Sequence, residues 1–405
     1  MSADAWEKIG IVSHVLPPLP SGQSMVLYRL LCQLPGKRYF LISTGSGTAI
    51  ADVIGSEKLK ARYYYLKKVL QAPVVDCWVF NIIVFFNALW GIYGRSKQIE
   101  KIAGKERCAL LISCTGDLYD LPAAYLACKR LGIAFIPYIF DDYANQWTGF
   151  KRRLARWMEP LLLKGAKTVI VPNEFMQREY VERYGIVGTV FHNPCPMPNL
   201  DELDNLRKVF DLNEISIVYT GAIYDVHHDA FRNLLAAIQQ MGRNDIKLHL
   251  FTAQSLDELA QHGISGPAVV YHPHIAHDEV AVVLRQADIL FLPLAFVSDR
   301  QEVIRSSAPG KTGEYLAVGR PILVHAPCDS FVSWYFREHG CGMVVDRNDP
   351  VLLEEELSRL IVDPELRERL GTSARIAAEK DFNIDRIRGR FADFIASCEG
   401  TTHEL

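Results

Sequence analysis

The sequence predicts an α/β protein built from two doubly wound parallel sheets, each in its own domain. Short apolar runs alternate with helical patterns along the chain, which is typical of parallel strands joined by crossover helices. A proline-rich stretch at 193–198, followed by a charged one at 201–211, interrupts this alternation as a linker would. Because 405 residues are too many for one ordinary core, we expect a first domain at 1–195 and a second at 196–380.

The apolar runs give the predicted strands in chain order. In the first domain they cover 9–12, 39–43, 109–113, 134–140 and 168–171. In the second domain they cover 215–219, 247–251, 269–271, 288–294, 322–325 and 343–345. Helices are predicted at 23–33, 121–131, 231–241 and 279–286. Ligands of parallel sheets bind at the carboxyl ends of strands, so the loops after these strands and the cleft between the two domains are the candidate sites.

Composition narrows the function class. A hydrophobic share of 49% and a charged share of 22% are typical of a soluble globular protein. The net charge of −3 argues against nucleic-acid binding, which needs a basic excess. The nine cysteines are scattered singly and are odd in number, which favours reduced thiols in a cytoplasmic protein over disulfides or zinc ligands. Residues 1–9 contain Asp4 and Glu7 and lack an apolar core, so they do not resemble a secretory signal.

The segment 72–94 is nearly continuously apolar and rich in aromatic residues. A membrane-spanning helix needs about 20 apolar residues, and Asp76, Asn81 and Asn87 interrupt this one. Two interpretations stay open: a buried helix, or a helix docked at a membrane surface with basic residues on both sides. The second interpretation predicts a cytoplasmic protein held peripherally at the inner face of the membrane through 72–94.

The stretch 306–324 predicts a loop, a short helix and a buried strand. Pro309 is expected at the first helical position, and Gly319 is expected to end the helix before Pro321. Such a helix start is typical of an anion site. Lys311 and Glu314 lie three residues apart and therefore share a helix face. A lysine is electrostatically misplaced at a helix N-terminus, and this local misfit favours a functional role for Lys311.

A set of motifs in the second half carries a family resemblance. They are Tyr219-Thr220-Gly221, Ala287-Asp288-Ile289, Pro309-Gly310-Lys311, and the run from Glu314 to Pro321. With these residues the chain resembles a GT-B glycosyltransferase, and within that class it resembles glycosyltransferase family 4, a retaining nucleotide-sugar family. The resemblance implies two Rossmann-like domains facing a cleft, with a C-terminal segment at 381–405 whose helix crosses back to the first domain.

The resemblance also implies the donor-binding residues. Glu314 matches the second glutamate of the family motif, which binds the ribose hydroxyls of the donor, whereas Ser306 stands where the family has the first glutamate, which contacts the transferred sugar. No Arg or Lys follows Gly221 closely, so either Lys311 and Arg305 meet the diphosphate or donor binding is weak. The full expected donor set is Gly221, Arg305, Ser306, Ser307, Gly310, Lys311, Thr312 and Glu314.

Acceptor-side residues are expected after the strands of the first domain, at His14, Gly22, Asp117 and Asp141. Asp141 is a candidate catalytic carboxylate that positions the acceptor, alongside Lys311. Asp after a strand is also common as a turn or cap residue, and Gly22 is compatible with a simple turn, so these alternatives stay open. The sequence has no Asp-x-Asp at a strand end, and the histidines at 272, 274 and 277 fit a loop better than zinc. No metal or cofactor is therefore expected, because the nucleotide-sugar is a substrate.

Together these expectations describe a metal-independent, hexosyltransferase-type enzyme. It would retain anomeric configuration and move a sugar from a UDP- or GDP-sugar to a glycan or lipid-linked acceptor in polysaccharide or glycolipid biosynthesis. Two alternatives remain: another GT-B enzyme such as a nucleotide-sugar epimerase, and a non-catalytic GT-B subunit that binds a partner or a membrane.

Overall fold

The computed structural model describes residues 8–19, 21–45, 58–69, 80–206, 208–273 and 275–399. The chain divides into two compact units. The first comprises Met1–Pro194 together with Arg386–Leu405, and the second comprises Cys195–Asp385.

The described residues of the first unit form a parallel sheet of seven strands in the order β3-β2-β1-β4-β5-β6-β7. The strands are β1 Lys8–Val12, β2 Tyr39–Ser43, β3 Arg62–Tyr65, β4 Cys108–Cys114, β5 Ala134–Tyr138, β6 Ile170–Val171 and β7 Thr189–Val190. The order reverses between β1 and β4, and such a switch point is where doubly wound sheets place their ligands. The helices between the strands are α1 Gly22–Leu31, α2 Phe80–Glu106, α3 Asp120–Leu131, α4 Gly149–Lys164 and α5 Glu174–Tyr184.

The described residues of the second unit form a six-stranded parallel sheet in the order β10-β9-β8-β11-β12-β13. The strands are β8 Ile215–Thr220, β9 Ile246–Phe251, β10 Val269–His272, β11 Ile289–Pro293, β12 Ile322–His325 and β13 Met343–Val345. The helices are α6 Leu200–Asp204, α7 His228–Met241, α8 Leu256–Gln261, α9 His277–Gln286, α10 Gln301–Ser306, α11 Lys311–Ala317, α12 Phe331–Glu338, α13 Pro350–Val362 and α14 Pro364–Ala377. All the strands predicted for this half are confirmed.

The last helix, α15 Ile384–Glu399, returns to the first unit. Its apolar residues Ile387, Phe391 and Ile395 are buried in one cluster with the strand residues of that unit. The ring of Phe391 meets Phe191 edge-on with centroids 5.7 Å apart. The predicted fold class, two doubly wound sheets and a C-terminal helix that crosses back, is confirmed.

The apolar segment predicted at 72–94 is described in part. Residues 72–79 lie outside the described residues, and the remainder forms the N-terminal half of α2. No helix within the described parts of the chain is long and apolar enough to cross a membrane.

Candidate functional site

The turn after β8 brings the backbone close to Lys311. The Thr220 N–H donates to Tyr315 Oη at 2.9 Å, and the Gly221 N–H donates to the Phe251 carbonyl at 2.8 Å. Gly221 has φ of +107°, a conformation that favours glycine. A Cβ built on Gly221 would lie 3.5 Å from Lys311 Nζ. The turn therefore places a lysine ammonium directly over the carboxyl end of the central strand β8.

Lys311 is the first residue of α11, and its ammonium rests on an aromatic ring. Nζ lies 3.7 Å from the centroid of the Tyr219 ring, within cation–π range. Burial lowers the pKa of Lys311 to about 7, although the nearby Glu314 carboxylate partly opposes this. Within the described residues Nζ has no hydrogen-bond acceptor and no ion-pair partner. A desolvated ammonium without a direct ion-pair partner is costly, and an anion bound here would relieve that cost.

His227 lies beside this lysine and is held neutral. It is buried, and both burial and the positive charge of Lys311 lower its pKa well below the ordinary histidine value. Its ring centroid lies 6.0 Å from that of Tyr219. His227 is therefore a buried residue beside Lys311 and not a surface histidine. Sequence reasoning included Tyr219 in a family motif but did not assign it to the site, because a tyrosine inside an apolar strand is more often a core residue.

Polar contacts join the loop after β8 to the loop after β11. Asp229, in the first turn of α7, accepts from the N–H groups of Phe296 at 2.8 Å and Val297 at 2.9 Å. Arg300 pairs with Asp225 across the same two loops. These contacts link the loop after β8, which carries His227, to the loop after β11 without a ligand.

The start of α11 differs from its prediction. The helix begins at Lys311 rather than Pro309, and Gly310 precedes it with right-handed helical dihedral angles. The Thr312 N–H donates to the Pro309 carbonyl at 2.9 Å, so this amide is already used. In contrast, the buried Thr312 Oγ1 has no hydrogen-bond partner within the described chain. At this helix start, the positive charge available to an anion therefore comes mainly from Lys311 and less from backbone N–H groups without a hydrogen-bond acceptor.

The preceding helix, α10, carries the other expected donor residues. Ser306 is buried, and its Oγ donates to the Glu302 carbonyl of the same helix at 3.2 Å. The Ser307 N–H donates to the Ile304 carbonyl at 3.2 Å and so ends the helix. Arg305 is exposed in the last turn. The structure thus gathers Gly221, Lys311 and Glu314 into one group, whereas Ser306 and Ser307 make contacts that stabilise α10.

The switch point of the first sheet gathers three predicted acceptor-side loops. Thr115 Oγ1 accepts from the N–H groups of Phe140 at 2.8 Å and Asp141 at 3.3 Å, which links the ends of β4 and β5. Gly116 has φ of +107°, and a Cβ there would lie 2.2 Å from His14 Cε1, after β1. His14, Gly116 and Asp141 therefore lie at the ends of three neighbouring strands.

His14 and Asp117 face each other electrostatically. Burial lowers the pKa of His14, and the Asp117 carboxylate partly opposes that shift. His14 Nδ1 is buried without a hydrogen-bond partner among the described residues. Asp117 accepts from the N–H groups of Tyr119 at 2.7 Å and Asp120 at 3.2 Å, and it pairs with Arg95. Asp117 therefore has the turn-and-cap contacts that are common for an aspartate after a strand.

The carboxylates in this region share one cation. Arg95 pairs with both Asp117 and Asp120. Burial, followed by the Asp117 charge, raises the pKa of Asp120 to about 7, and Arg95 opposes the shift. The local charges of this sheet edge are thus largely balanced within the protein.

The remaining acceptor-side candidates are both exposed. Gly22 is the first residue of α1, after the cap Ser21, and nothing lies within 4 Å of a Cβ built on it. Asp141 is exposed at the end of β5. Gly22 is not required by packing, and Asp141 is accessible to a ligand.

The described residues contain no cluster of His, Cys, Asp or Glu suited to a metal ion. Of the three histidines at 272, 274 and 277, position 274 lies outside the described residues. His272 stacks on the Phe251 ring with centroids 4.2 Å apart and hydrogen-bonds His249 at 2.9 Å. These contacts are those of a packed aromatic cluster.

Sequence comparison identifies part of the second unit. Residues 214–363 match the family model described as Glycosyl transferases group 1. The matched range begins just before β8 and includes Gly221, Lys311 and Glu314. No curated protein matches the chain in sequence.

Solved structures share the fold over nearly the whole chain. A glycosyltransferase from Rickettsia africae is 14% identical with a TM-score of 0.68, and the match covers 98% of this chain and 100% of that one. Anabaena HepE in complex with UDP-glucose is 13% identical with a TM-score of 0.70, over 96% of this chain and 99% of that one. Sucrose-phosphate synthase from Thermosynechococcus elongatus is 16% identical with a TM-score of 0.67, over 96% and 98%. The chain has the GT-B fold.

Proposed function

We propose that this GT-B chain, whose residues 214–363 match the group 1 glycosyltransferase domain, transfers a sugar from a nucleotide-diphosphate donor to an acceptor. The observation that carries the proposal is the ammonium of Lys311 at the carboxyl end of β8. It is desolvated and, within the described residues, has no direct ion-pair or hydrogen-bond partner, although the Glu314 carboxylate acts on it from nearby. The diphosphate of a nucleotide-sugar supplies a direct anionic partner.

The donor side of the mechanism is electrostatic. The diphosphate binds over Gly221, and Lys311 stabilises the charge that develops on the leaving group. A bound diphosphate restores the protonated form of Lys311, because a nearby negative charge raises the pKa of a lysine. The Thr312 hydroxyl donates to a phosphate oxygen, Glu314 accepts from the ribose hydroxyls, and Arg305 adds a second cation. No metal ion is needed in this scheme.

The acceptor binds in the first unit, at the ends of β1, β4 and β5. His14 Nδ1 is a buried atom without a described partner, and Asp141 is an exposed carboxylate on the neighbouring strand. Asp141 positions the acceptor hydroxyl, and His14 provides a hydrogen bond to the same glycan. The finer parts of the proposal are a retaining, family 4 type transfer of a hexose from a UDP- or GDP-sugar to a glycan or lipid-linked glycan. It takes place at the cytoplasmic face of a membrane.

Thermal shift across a panel of nucleotide-sugars tests donor binding, because a ligand that binds the folded state raises its melting temperature. We expect a UDP- or GDP-sugar to raise the melting temperature, and a Lys311→Ala, Glu314→Ala double variant to lose the shift. Lys208→Ala, at an exposed position of the same unit, is the matched control. An unchanged shift in the double variant would remove the site assignment.

Product analysis separates transfer from the alternatives. Transfer produces a nucleoside diphosphate and a longer glycan, whereas an epimerase interconverts nucleotide-sugars without an acceptor. A non-catalytic subunit leaves the donor intact. An epimerised donor or an intact donor, in the presence of glycan and lipid-linked acceptors, would overturn the proposed reaction.

A further inference from the structure

The first unit exposes a stripe of large aromatic side chains along α2. Phe86, Trp90 and Tyr93 are 63%, 60% and 47% exposed, respectively. Their spacing of four and three residues places them on one helix face, and the exposed Lys97 and Lys101 continue the same face. We call Phe86, Trp90 and Tyr93 the α2 stripe. Three exposed aromatic side chains in a row form a contiguous patch, which marks an interaction surface rather than ordinary scatter.

A second helix continues this patch. In α4, Trp157 and Leu161 lie one turn apart and are 64% and 59% exposed. The rings of Phe85 and Trp157 meet at 6.2 Å, which joins α4 to α2 directly. A shallow cavity of about 300 Å³ lies at this junction and is lined by Phe85, Phe150, Arg153, Leu154 and Trp157. We call the α2 stripe together with Trp157 and Leu161 the aromatic surface.

The exposed charges of α4 have one sign. Helix α4 carries four exposed cations, namely Lys151, Arg153, Arg156 and Lys164. By helical spacing, Arg153 and Lys164 share a face with Trp157 and Leu161. The acid of this helix, Glu159, is buried and bonded to Tyr180 and Tyr184. On α2, Glu100 is paired with Lys97 and Arg130. The exposed face of α4 is therefore apolar and basic, although the whole chain has a net charge of −3.

We propose that the aromatic surface and the cations of α4 bind the surface of an anionic lipid bilayer. Tryptophan, tyrosine and phenylalanine side chains insert at the headgroup level, and lysine and arginine attract anionic headgroups. Charge complementarity favours this occupant, since the helix that presents Trp157 and Leu161 also presents four exposed cations and no exposed acid. The surface extends the contact predicted at 72–94 to α4, which the sequence pattern did not indicate.

The lipid contact is argued from the residues of the aromatic surface alone, whereas its purpose, access to a lipid-linked acceptor, rests on the proposed function. A lipid-linked glycan acceptor is confined to the membrane, so docking the first unit there would bring the acceptor-binding unit to its substrate. Lys311 belongs to the other unit and takes no part in lipid binding.

Co-sedimentation of the full chain with vesicles tests the inference. Phosphatidylcholine vesicles containing phosphatidylglycerol are compared with phosphatidylcholine vesicles, at low and high salt. We expect binding to the anionic vesicles that weakens with salt, because exposed charges are screened. A Phe86→Ser, Trp157→Ser variant is expected to bind on the order of tenfold more weakly. Val187→Ser, at a 72% exposed valine of the same unit, is the apolar control.

A second pair of variants tests the charge. Arg153→Gln, Lys164→Gln removes two cations beside Trp157, and Lys37→Gln, Lys60→Gln removes two exposed cations elsewhere in the unit. We expect only the first pair to weaken binding to anionic vesicles, by roughly tenfold, as each cation near the surface contributes. Far-ultraviolet circular dichroism and melting temperature show whether each variant is folded.

Three results would overturn the inference. They are the absence of vesicle binding at low salt, equal binding by the aromatic-surface variant and the Val187 control, and self-association that the same substitutions abolish without any lipid binding. The Lys311→Ala, Glu314→Ala variant should bind vesicles like the parent chain. Loss of donor binding with intact vesicle binding, or the reverse, separates the two proposals.

Discussion

In each sheet, one strand is followed by a Thr-Gly turn, but the surroundings of the two turns differ. Thr115-Gly116 follows β4 in the first unit, and Thr220-Gly221 follows β8 in the second; both glycines have φ of +107°. A Cβ on Gly116 would collide with His14, whereas a Cβ on Gly221 would meet only the end of Lys311 at ordinary contact distance. The first turn is packed against a side chain, and the second is open toward an ammonium.

Charge distinguishes the two turns further. Near Gly116, Arg95 is balanced by Asp117 and Asp120. Near Gly221, Lys311 has an aromatic ring beneath it and, among the described residues, no direct ion-pair partner. If the proposed function holds, the same turn has two tasks: the balanced turn would hold a neutral ligand such as a glycan, and the unbalanced turn would hold an anion.

The largest effect is expected on nucleotide-sugar affinity when the Lys311 ammonium is removed. Lys311→Met keeps the apolar stem and removes the charge, so nucleotide-sugar affinity should fall about 100-fold, or about 3 kcal/mol. Isothermal titration calorimetry measures the change, with Lys208→Met as control. Affinity within twofold of the parent chain would mean that another group meets the diphosphate.

The two glycines should respond unequally to the same substitution. Gly116→Ala is expected to lower the free energy of unfolding by about 2 kcal/mol, because backbone strain adds to the collision with His14. Gly221→Ala should lower it by about 1 kcal/mol, from strain alone, while weakening donor binding. Urea denaturation at constant pH compares them. The comparison fails if Gly221→Ala is the more destabilising or leaves donor binding intact.

In the ligand-free chain, removing the Lys311 charge is expected to have a smaller effect, which is on the free energy of unfolding. Burial lowers the pKa of Lys311 to about 7 in the folded chain. At or below that pH the folded chain holds a buried charged lysine, which lowers the free energy of unfolding. Lys311→Met should therefore raise the free energy of unfolding at neutral pH by about 1 kcal/mol, allowing for partial solvent screening. The gain should shrink as pH rises from about 7 toward the ordinary lysine value of about 10, where unfolded chains also lose the proton. Destabilisation at neutral pH would show that Lys311 is a structural residue.

Much of the fold followed from local pattern. The strands β2 and β12 were predicted at their observed bounds, because each is an apolar run ended by turn residues. In contrast, β3 was missed because Arg62–Tyr65 is a half-exposed edge strand without an apolar run. Helix α4 was missed because its charges and Pro160 hide the apolar face. Local periodicity does not reveal elements whose burial depends on distant neighbours.

The candidate site was predicted in its parts but not in its arrangement. Lys311 was identified because it breaks the charge preference of a helix start. The ring of Tyr219 beneath it, and the neutral His227 beside it, depend on contacts across 92 and 84 positions of the sequence (311 − 219 and 311 − 227). Such long-range contacts have no local signal. The helix start itself was placed two residues early because Pro309 was taken as helical.

The central claim is that a bound anion pairs with the Lys311 ammonium and keeps it protonated. Proton uptake on donor binding tests this claim most directly. Binding of a UDP- or GDP-sugar is measured by calorimetry in buffers of different ionisation enthalpy, at about pH 6 and about pH 8.5, on either side of the lowered lysine pKa. We predict proton uptake and weaker affinity at the higher pH, no uptake at the lower one, and loss of the difference in Lys311→Met. Binding without proton uptake at the higher pH, or the same uptake in the variant, would contradict the account.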